Sequence, residues 1–525
     1  MATARRFDYI IIGAGSAGCV LANRLSAQPE VKVLLIEAGP SDRHPFVQIP
    51  AAFSKLFKTK RDWQYQSVAE PYLDGRSVYI PRGRMLGGSS SINAMIYIRG
   101  NREDYDVWAS EYGCLGWGYD DLLPYFKKSE ANERLTNSYH GNSGPLHISD
   151  LPKPNILSAA FVEACAENGM KPINDFNGPE QLGAGYFQVN QKNGKRWSAA
   201  DGYLRPAMKR PNLTVTTKSV VTGIGVQSGA ATSVSYTRNR SRMIAEASRE
   251  VILSAGALGS PQILMLSGIG PADHLRDHGI EPIVDLAVGR GLQDHPAVPV
   301  IYDCVKPVSM DDVEHPKHLL RYLANRSGKL RSNLCEAGAF VSTTGDNPAP
   351  NLQYHFGPLY FADHGFTRYD GNAFSIGPTL VDVASRGEVQ LKSSNPTDKV
   401  HIAGNYLSEN ADVETLVYGV KLGRKIASAN SFSSYRGSEL LPGPSVVTDD
   451  EITRYVKEIV ELIYHPVGTC AMGGDEAVVD TELQVRGVKN LRVVDASVMP
   501  KIVRGNPNAA VIAIAEKAAD LVLSA

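Results

Sequence analysis

Asp8-Tyr9-Ile10-Ile11-Ile12-Gly13-Ala14-Gly15-Ser16-Ala17-Gly18 opens the stretch that decides the fold. An apolar strand over residues 8–12 runs into the glycines. Residues 17–25 read as a helix, and residues 31–36 as a second strand that ends at Glu37. Gly13 permits the tight turn, Gly15 lets backbone approach a pyrophosphate, and Gly18 lets helix lie on strand. Ser16 and Ala17 begin a helix whose N-terminal amides face an anion. Glu37, followed by Ala38, stands where a carboxylate takes a ribose hydroxyl. With strand, helix and acid in register, the segment is a dinucleotide-binding βαβ unit and not an incidental glycine turn. Glutamate at position 37 favours an unphosphorylated ribose and leaves NAD and FAD both open. No second G-x-G-x-x-G follows a strand, so the electrons are expected from the substrate itself.

The bulk numbers agree with an enzyme. The 525 residues exceed one ordinary core, so two interleaved domains are expected. A content of 43% hydrophobic and 21% charged residues fits a soluble globular chain. The formal net charge of −1 provides no global field for nucleic acid. Six scattered cysteines without a Cys-x-x-Cys argue against a metal ribbon or disulfide framework, and no metal site is expected. No run of eighteen apolar residues occurs, and the first apolar run flows into glycines without a cleavage site. A cytoplasmic protein is therefore expected, with peripheral contact to the inner membrane face left open, as monomer or homodimer.

Two further stretches carry small residues at high density. Arg82-Gly83-Arg84-Met85-Leu86-Gly87-Gly88-Ser89-Ser90-Ser91-Ile92-Asn93-Ala94-Met95 lets backbone amides line a flat ligand. Arg82 and Arg84 are candidates for phosphate. The second stretch is Ser254-Ala255-Gly256-Ala257-Leu258-Gly259-Ser260-Pro261, continuing to Gly268. Residues 250–254 before it form a buried-strand pattern. Pro261 suits the first turn of a helix and Gly268 its end.

These two stretches resemble the signature motifs of the glucose–methanol–choline (GMC) oxidoreductases, FAD enzymes acting on CH–OH groups. The likeness runs the length of the chain, through Asp104-Tyr105-Asp106-x-Trp108, His140-Gly141-Asn142, Gly291-Leu292-Gln293-Asp294-His295, Ser385-Arg386-Gly387 and Val494-Asp495-Ala496. It is most similar to the alkanol, polyethylene glycol and sorbose dehydrogenase branch, which includes choline dehydrogenase-like proteins. The resemblance implies that Gly13, Gly15, Gly18 and Glu37 hold the ADP half of FAD and that Val221 holds adenine through its backbone. It places Gly87, Gly88, Ser89, Asn93, Ala94 and Met95 around the ribityl–flavin side. Ala255 and Gly256 fall in the second signature, and Asp495 with Ala496 at the diphosphate or ribityl region. Choline oxidases attach flavin through a histidine where this chain has Ile92, so non-covalent FAD is expected. Gly291 replaces the family's usual asparagine.

Alcohol oxidation needs removal of the hydroxyl proton, and a neutral imidazole is the fitting base. Of twelve histidines, His465 stands apart, between Leu462-Ile463-Tyr464 and Pro466-Val467-Gly468. His274, His278, His315 and His318 sit among charges and read as surface. Asn506 reads as a helix cap with Pro507 in the first helical position. The resemblance adds that His465 is the active-site base, that Asn506 binds the substrate oxygen and that Asn508 contacts flavin.

The expected fold is α/β (α+β). A Rossmann-like FAD-binding domain (1–155, 200–300, 455–525) carries an inserted substrate domain (156–199, 301–454) built on an antiparallel sheet with helices. Residues 353–356 and 388–392 read as strands of that sheet. Tyr354, Phe356, Tyr360 and Phe361 read as an apolar lining, while His355 on the opposite face stays undecided between pocket and sheet. The expected reaction is oxidation of a primary aliphatic, aryl or polyether alcohol to aldehyde, with hydride passing to flavin and a quinone-like acceptor preferred to dioxygen. An oxidase and a hydroxynitrile lyase-like enzyme are the alternatives.

Overall fold

The computed structural model describes residues 5–345 and 349–524. The run Arg5–Ile12 lies inside a large sheet. Val33–Ile36 and then Leu213–Thr216 lie parallel on one side of it, and Ser241–Leu253 lies parallel on the other. Ser241–Leu253 changes partner along its length. Its first half pairs antiparallel with Ala230–Arg238, and its last three residues pair parallel with Leu491–Val493. Val33–Ile36 is buried at every position, as expected of strands covered on both faces. The helix Ser16–Leu25 follows the glycine turn, and the last helix, Asn508–Ser524, packs on it. A buried Glu516 holds the two together by pairing with Arg24 at 2.6 Å and accepting from the Tyr203 hydroxyl at 2.8 Å.

A second sheet runs Arg436–Leu441, Val300–Cys304, Ala373–Leu380, Leu352–Gly357, Ala337–Val341, Gly183–Tyr186, antiparallel throughout. Pro296–Ala297 joins Glu461–Leu462 to its Ala373–Leu380 strand, which brings the chain just before His465 beside this sheet. Helices Ile156–Glu167 and Asn410–Ala427 cover one face. Residues 388–392 prove to belong elsewhere. Gly387–Gln390 pairs with Arg290–Leu292 and His401–Ala403 in a small separate sheet. Their alternation marked a strand but carried no information on its partners.

Pro261 also departs from its reading. The helix begins at Gly256, so the proline sits inside it, and Gly256–Leu266 spans three turns. Proline has no N–H, so the carbonyl four residues back, Ala257, loses its helical donor. The Thr469 hydroxyl replaces that donor at 2.6 Å. The C-terminus behaves as expected. Gly268 is left-handed at φ +80, and the amides of Gly268 and Ile269 bond the carbonyls of Met265 and Leu264. Asn506 is not a cap. The Val511 amide bonds the Pro507 carbonyl and the helix runs from Asn508, so Pro507 stands one place earlier than expected and the Asn506 side chain is free for other work.

Thr469→Val should orphan the Ala257 carbonyl and cost about 1–3 kcal/mol, read as a lower melting temperature, whereas Thr469→Ser should melt with the parent. Equal melting of Thr469→Val and the parent would remove the hydroxyl from this role.

Candidate active site

A cavity of about 500 Å3 runs between the two sheets. The sequence-derived residues gather along it. Gly13, Gly15, Ser16, Ala17, Glu37, Ala38, Arg82, Gly88, Ser89, Asn93, Ala94, Met95, Val221, Ala255, Gly256, Asp495, Ala496, Asn506, Pro507, Asn508 and His465 all line it. Gly18 and Gly87 lie behind the wall. A Cβ on Gly18 would sit 1.9 Å from the Gly13 carbonyl oxygen, so only glycine lets the helix approach the strand here. The Gly87 amide bonds the Ala14 carbonyl at 2.7 Å, which presses the second glycine segment onto the first. A Cβ on Gly88 would meet the Gly15 Cα at 2.7 Å.

Glu37 accepts from the amides of Ala14 (2.9 Å) and Gly39 (2.7 Å), and burial pushes its carboxyl up to about 7. The Ser16 hydroxyl donates to Asn508 Oδ1 at 2.7 Å, joining the two ends of the chain across the cavity wall. Asp495 is filled on both oxygens. One takes the Gly256 amide and Ser260 hydroxyl, the other the amide and hydroxyl of Ser497. It fixes the N-terminus of Gly256–Leu266 with a negative charge at the positive helix end. Arg84 lies over Trp63, and Arg82 donates to the Tyr464 carbonyl at 2.6 Å, beside the catalytic end.

At that end, His465 Nε2 lies 3.3 Å from Asn506 Nδ2. His465 Nδ1 lies 3.0 Å from His295 Nδ1. Burial, and secondarily His295, His355 and Arg82, hold the His465 imidazole well below its usual range. Burial pushes His295 down to about 3. Both rings are therefore neutral at pH 7, and one Nδ1 must donate to the other. With His465 donating, its Nε2 lone pair faces the cavity and it is ready to act as a base. Asp294 Oδ1 accepts from the backbone amides of both His295 (2.8 Å) and His465 (2.7 Å), which fixes the spacing of the rings. Gln293 donates to the Pro500 carbonyl at 3.1 Å and accepts from the Ile502 amide at 3.0 Å. Arg504, just before Asn506, is buried against Asp104 at 2.6 Å and Asp382 at 2.9 Å. His465 is thus held through its own backbone amide, and Asn506 through the segment just before it, where the Ile502 and Arg504 amides are bound by Gln293 and Asp104.

Sequence reasoning missed Asp294 and His295 as working residues. They were visible only as family motif, because the His295–His465 contact spans 170 positions. It also missed the aromatic wall formed by Phe53 and Phe57, joined by Leu334 and Leu359. Tyr354 and Phe356 do not line the pocket. Tyr354 donates to the Gly419 carbonyl and Phe356 stacks on Phe161, both under the covering helices. His355 is on the cavity face, bonded to Thr379 at 3.0 Å. Of the predicted aromatics, Phe361 lines the cavity, and Tyr360 stacks on Tyr369 outside it. Asp363, His364 and Glu461 bring ligand atoms within 4.8 Å of one another, with His364 Nδ1 already engaged by the Tyr464 hydroxyl.

The family pattern described as GMC oxidoreductase matches residues 7–297 with its N-terminal part and residues 383–515 with its C-terminal part. The chain belongs to the GMC oxidoreductase family. It is 45% identical to an alcohol dehydrogenase [acceptor] of Pseudomonas putida, over 98% of this chain and 96% of that one. It is 41% identical to the mitochondrial choline dehydrogenase of Mus musculus, over 98% and 89%. Among solved structures it resembles pyridoxine 4-oxidase from Mesorbium loti, with TM-score 0.90, 33% identity and 98% of each chain covered. Formate oxidase superposes with TM-score 0.93 at 28% identity, covering 100% of this chain and 99% of that one.

This GMC enzyme is an FAD-dependent alcohol dehydrogenase, and its cavity suits the cofactor. Two glycine segments without side chains form a cradle for a flat, phosphate-bearing molecule. The buried Ser254 hydroxyl, which lines it, and Asn506 Oδ1 have no hydrogen-bond partner among the described residues. Ile92, buried and apolar, lines the wall at the position where choline oxidases attach flavin.

Gly88→Ala adds a Cβ at φ +51 against the Gly15 backbone. The variant should purify with less FAD per chain than the parent, measured as flavin absorbance over protein. Full occupancy would show that the two segments can separate without loss of the cofactor site.

Proposed function

We propose that the protein oxidises an uncharged primary alcohol to its aldehyde, with FAD held without a covalent bond and a quinone-type molecule as the electron acceptor. The observation that carries this reading is the neutral His465 imidazole beside Asn506 in a buried, largely apolar cavity continuous with the cofactor cradle. When bound, FAD supplies the hydride acceptor. The protein supplies the proton chemistry. An alcohol oxygen that displaces the long Asn506–His465 contact lies between a base and an amide donor. His465 Nε2 takes the hydroxyl proton, and the Asn506 amide stabilises charge left on the oxygen. The imidazolium so formed keeps its Nδ1–H on His295, a bond that strengthens as charge develops. Phe53, Phe57, Leu334, Leu359 and Phe361 exclude water and favour an aliphatic or aryl chain.

A charged substrate is the second reading, favoured by one feature. Glu461 lines the cavity near Tyr464. Burial raises its carboxyl to about 7, and it accepts the His364 amide, so it offers only part of a charge at neutral pH. Anaerobic mixing with short and long alkanols, benzyl alcohol, polyethylene glycol and choline separates the readings. Bleaching of flavin absorbance by the neutral alcohols is expected. Bleaching by choline alone would overturn the uncharged substrate, and rapid reoxidation by air without a quinone would overturn the acceptor. His465→Ala should retain FAD and slow bleaching by about 10²–10⁴-fold.

The pH profile follows from the imidazole. A histidine held below its usual value is unprotonated at neutral pH and is lost as a base only when pH falls through the lowered value. The kcat/KM for alcohol should therefore stay level as pH falls from about 8 through 6.5, the ordinary imidazole value, and decline only well below it. A decline centred near 7 would instead implicate Asp294 or Glu461, both pushed up to about 7 by burial.

A further inference from the structure

The helix Pro316–Asn325 carries three leucines that the fold leaves in solvent. Leu319, Leu320 and Leu323 are 43%, 69% and 59% exposed. At about 100° per residue they occupy one arc of the helix, and Tyr322, about 60° from Leu319, anchors the flank beside that arc. Tyr322 is buried against Ile49 and Ala52, with its hydroxyl on the Gly194 carbonyl at 2.9 Å. Three leucines displayed together on a short helix form a patch, not the scattered apolar exposure usual on a surface. Phe46 and Phe366, each more than a third exposed, lie on neighbouring segments joined to it by ion pairs. Glu314, just before the helix, bonds both Lys55 and Arg368.

Bases outnumber acids around this patch, although the chain as a whole is near neutral and Lys317, Lys329 and Lys55 are already paired with Asp312 and Glu314. Residues 312–331 hold Lys317, Arg321, Arg326, Lys329 and Arg331 against Asp312 and Glu314. The adjoining loop adds Lys55, Lys58, Lys60 and Arg61 with no acid among them. Lys58 stands 3.9 Å over the Phe366 ring, so cation and aromatic share one surface. Leucines beside lysines and arginines are the composition that settles at an anionic lipid interface, with the apolar groups among the acyl chains and the bases at the headgroups.

We propose that this face docks on an anionic lipid bilayer. The same segments turn inward as the aromatic wall, since Phe53 and Phe57 come from the stretch that carries Lys55 and Lys58. Docking sets the alcohol end of the cavity against the phase in which long-chain alcohols and lipid-soluble acceptors dissolve. The inference stands apart from the substrate reading, and failure of either leaves the other in place.

The test is sedimentation of the FAD-loaded protein with vesicles of phosphatidylcholine alone or mixed with phosphatidylglycerol. Binding is expected with the mixed vesicles, weakened by salt and absent with phosphatidylcholine alone. Leu320→Glu combined with Leu323→Glu should lower the bound fraction about tenfold or more, with flavin content and alcohol bleaching unchanged. Absence of binding to mixed vesicles, or equal binding by the double variant, overturns the proposal. Analytical ultracentrifugation reads the competing occupant. A parent dimer that the double variant converts to monomer, without vesicle binding, assigns the patch to a second copy instead.

Discussion

The site depends first on an approach of backbone to backbone. Gly15 and Gly88 come from segments more than seventy positions apart, and no side chain fits between them. Their contact defines one wall of the cofactor cradle. It also sets where strand Arg5–Ile12, helix Ser16–Leu25 and the segment before Met95 can lie. Three later parts of the chain are built onto this wall. Thr469 completes the helix that Pro261 leaves short of a donor, Asp495 binds the N-terminus of that helix, and Asn508 reaches the Ser16 hydroxyl. The cost of glycine flexibility in the unfolded chain is offset by hydrogen bonds that only this arrangement completes.

The catalytic end follows a different rule. Glycine provides access at the cradle, while buried polar groups provide position at the base. Asp294 ties two histidine backbones, and Arg504 sits between Asp104 and Asp382. Buried ions are costly unless each lone pair and proton is used. Here the outlay is directed to two atoms, His465 Nε2 and the Asn506 amide nitrogen, whose separation decides whether an alcohol oxygen fits between them.

Much of this was legible before any coordinates. The βαβ unit was readable because its strands are continuously apolar and its glycines fall at fixed offsets. His465 was readable because its neighbours are apolar where other histidines have charged ones. Features set by distant partners were not readable. Alternation placed Tyr354 and Phe356 on one face of their strand correctly, yet only the covering helices decide that this face is core and His355 faces the cavity. Pro261 obeys a local rule for helix starts that Thr469, more than two hundred positions away, overrides. Asn506 satisfies the composition of a cap, but the His465 ring claims its side chain.

The hydrogen bond from Ser16 to Asn508 joins positions 492 apart, and the Arg504–Asp104 pair joins positions 400 apart. Both close only when the last twenty or so residues are present. During synthesis the nucleotide turn leaves the ribosome first, and it waits for almost the whole chain before its wall is complete. Loop closure over such distances comes late in folding. A growing or truncated chain therefore lacks the second half of the histidine–asparagine pair, whatever its earlier strands have formed. The cofactor wall and the proton chemistry are thus completed by one and the same late segment, residues 504–508.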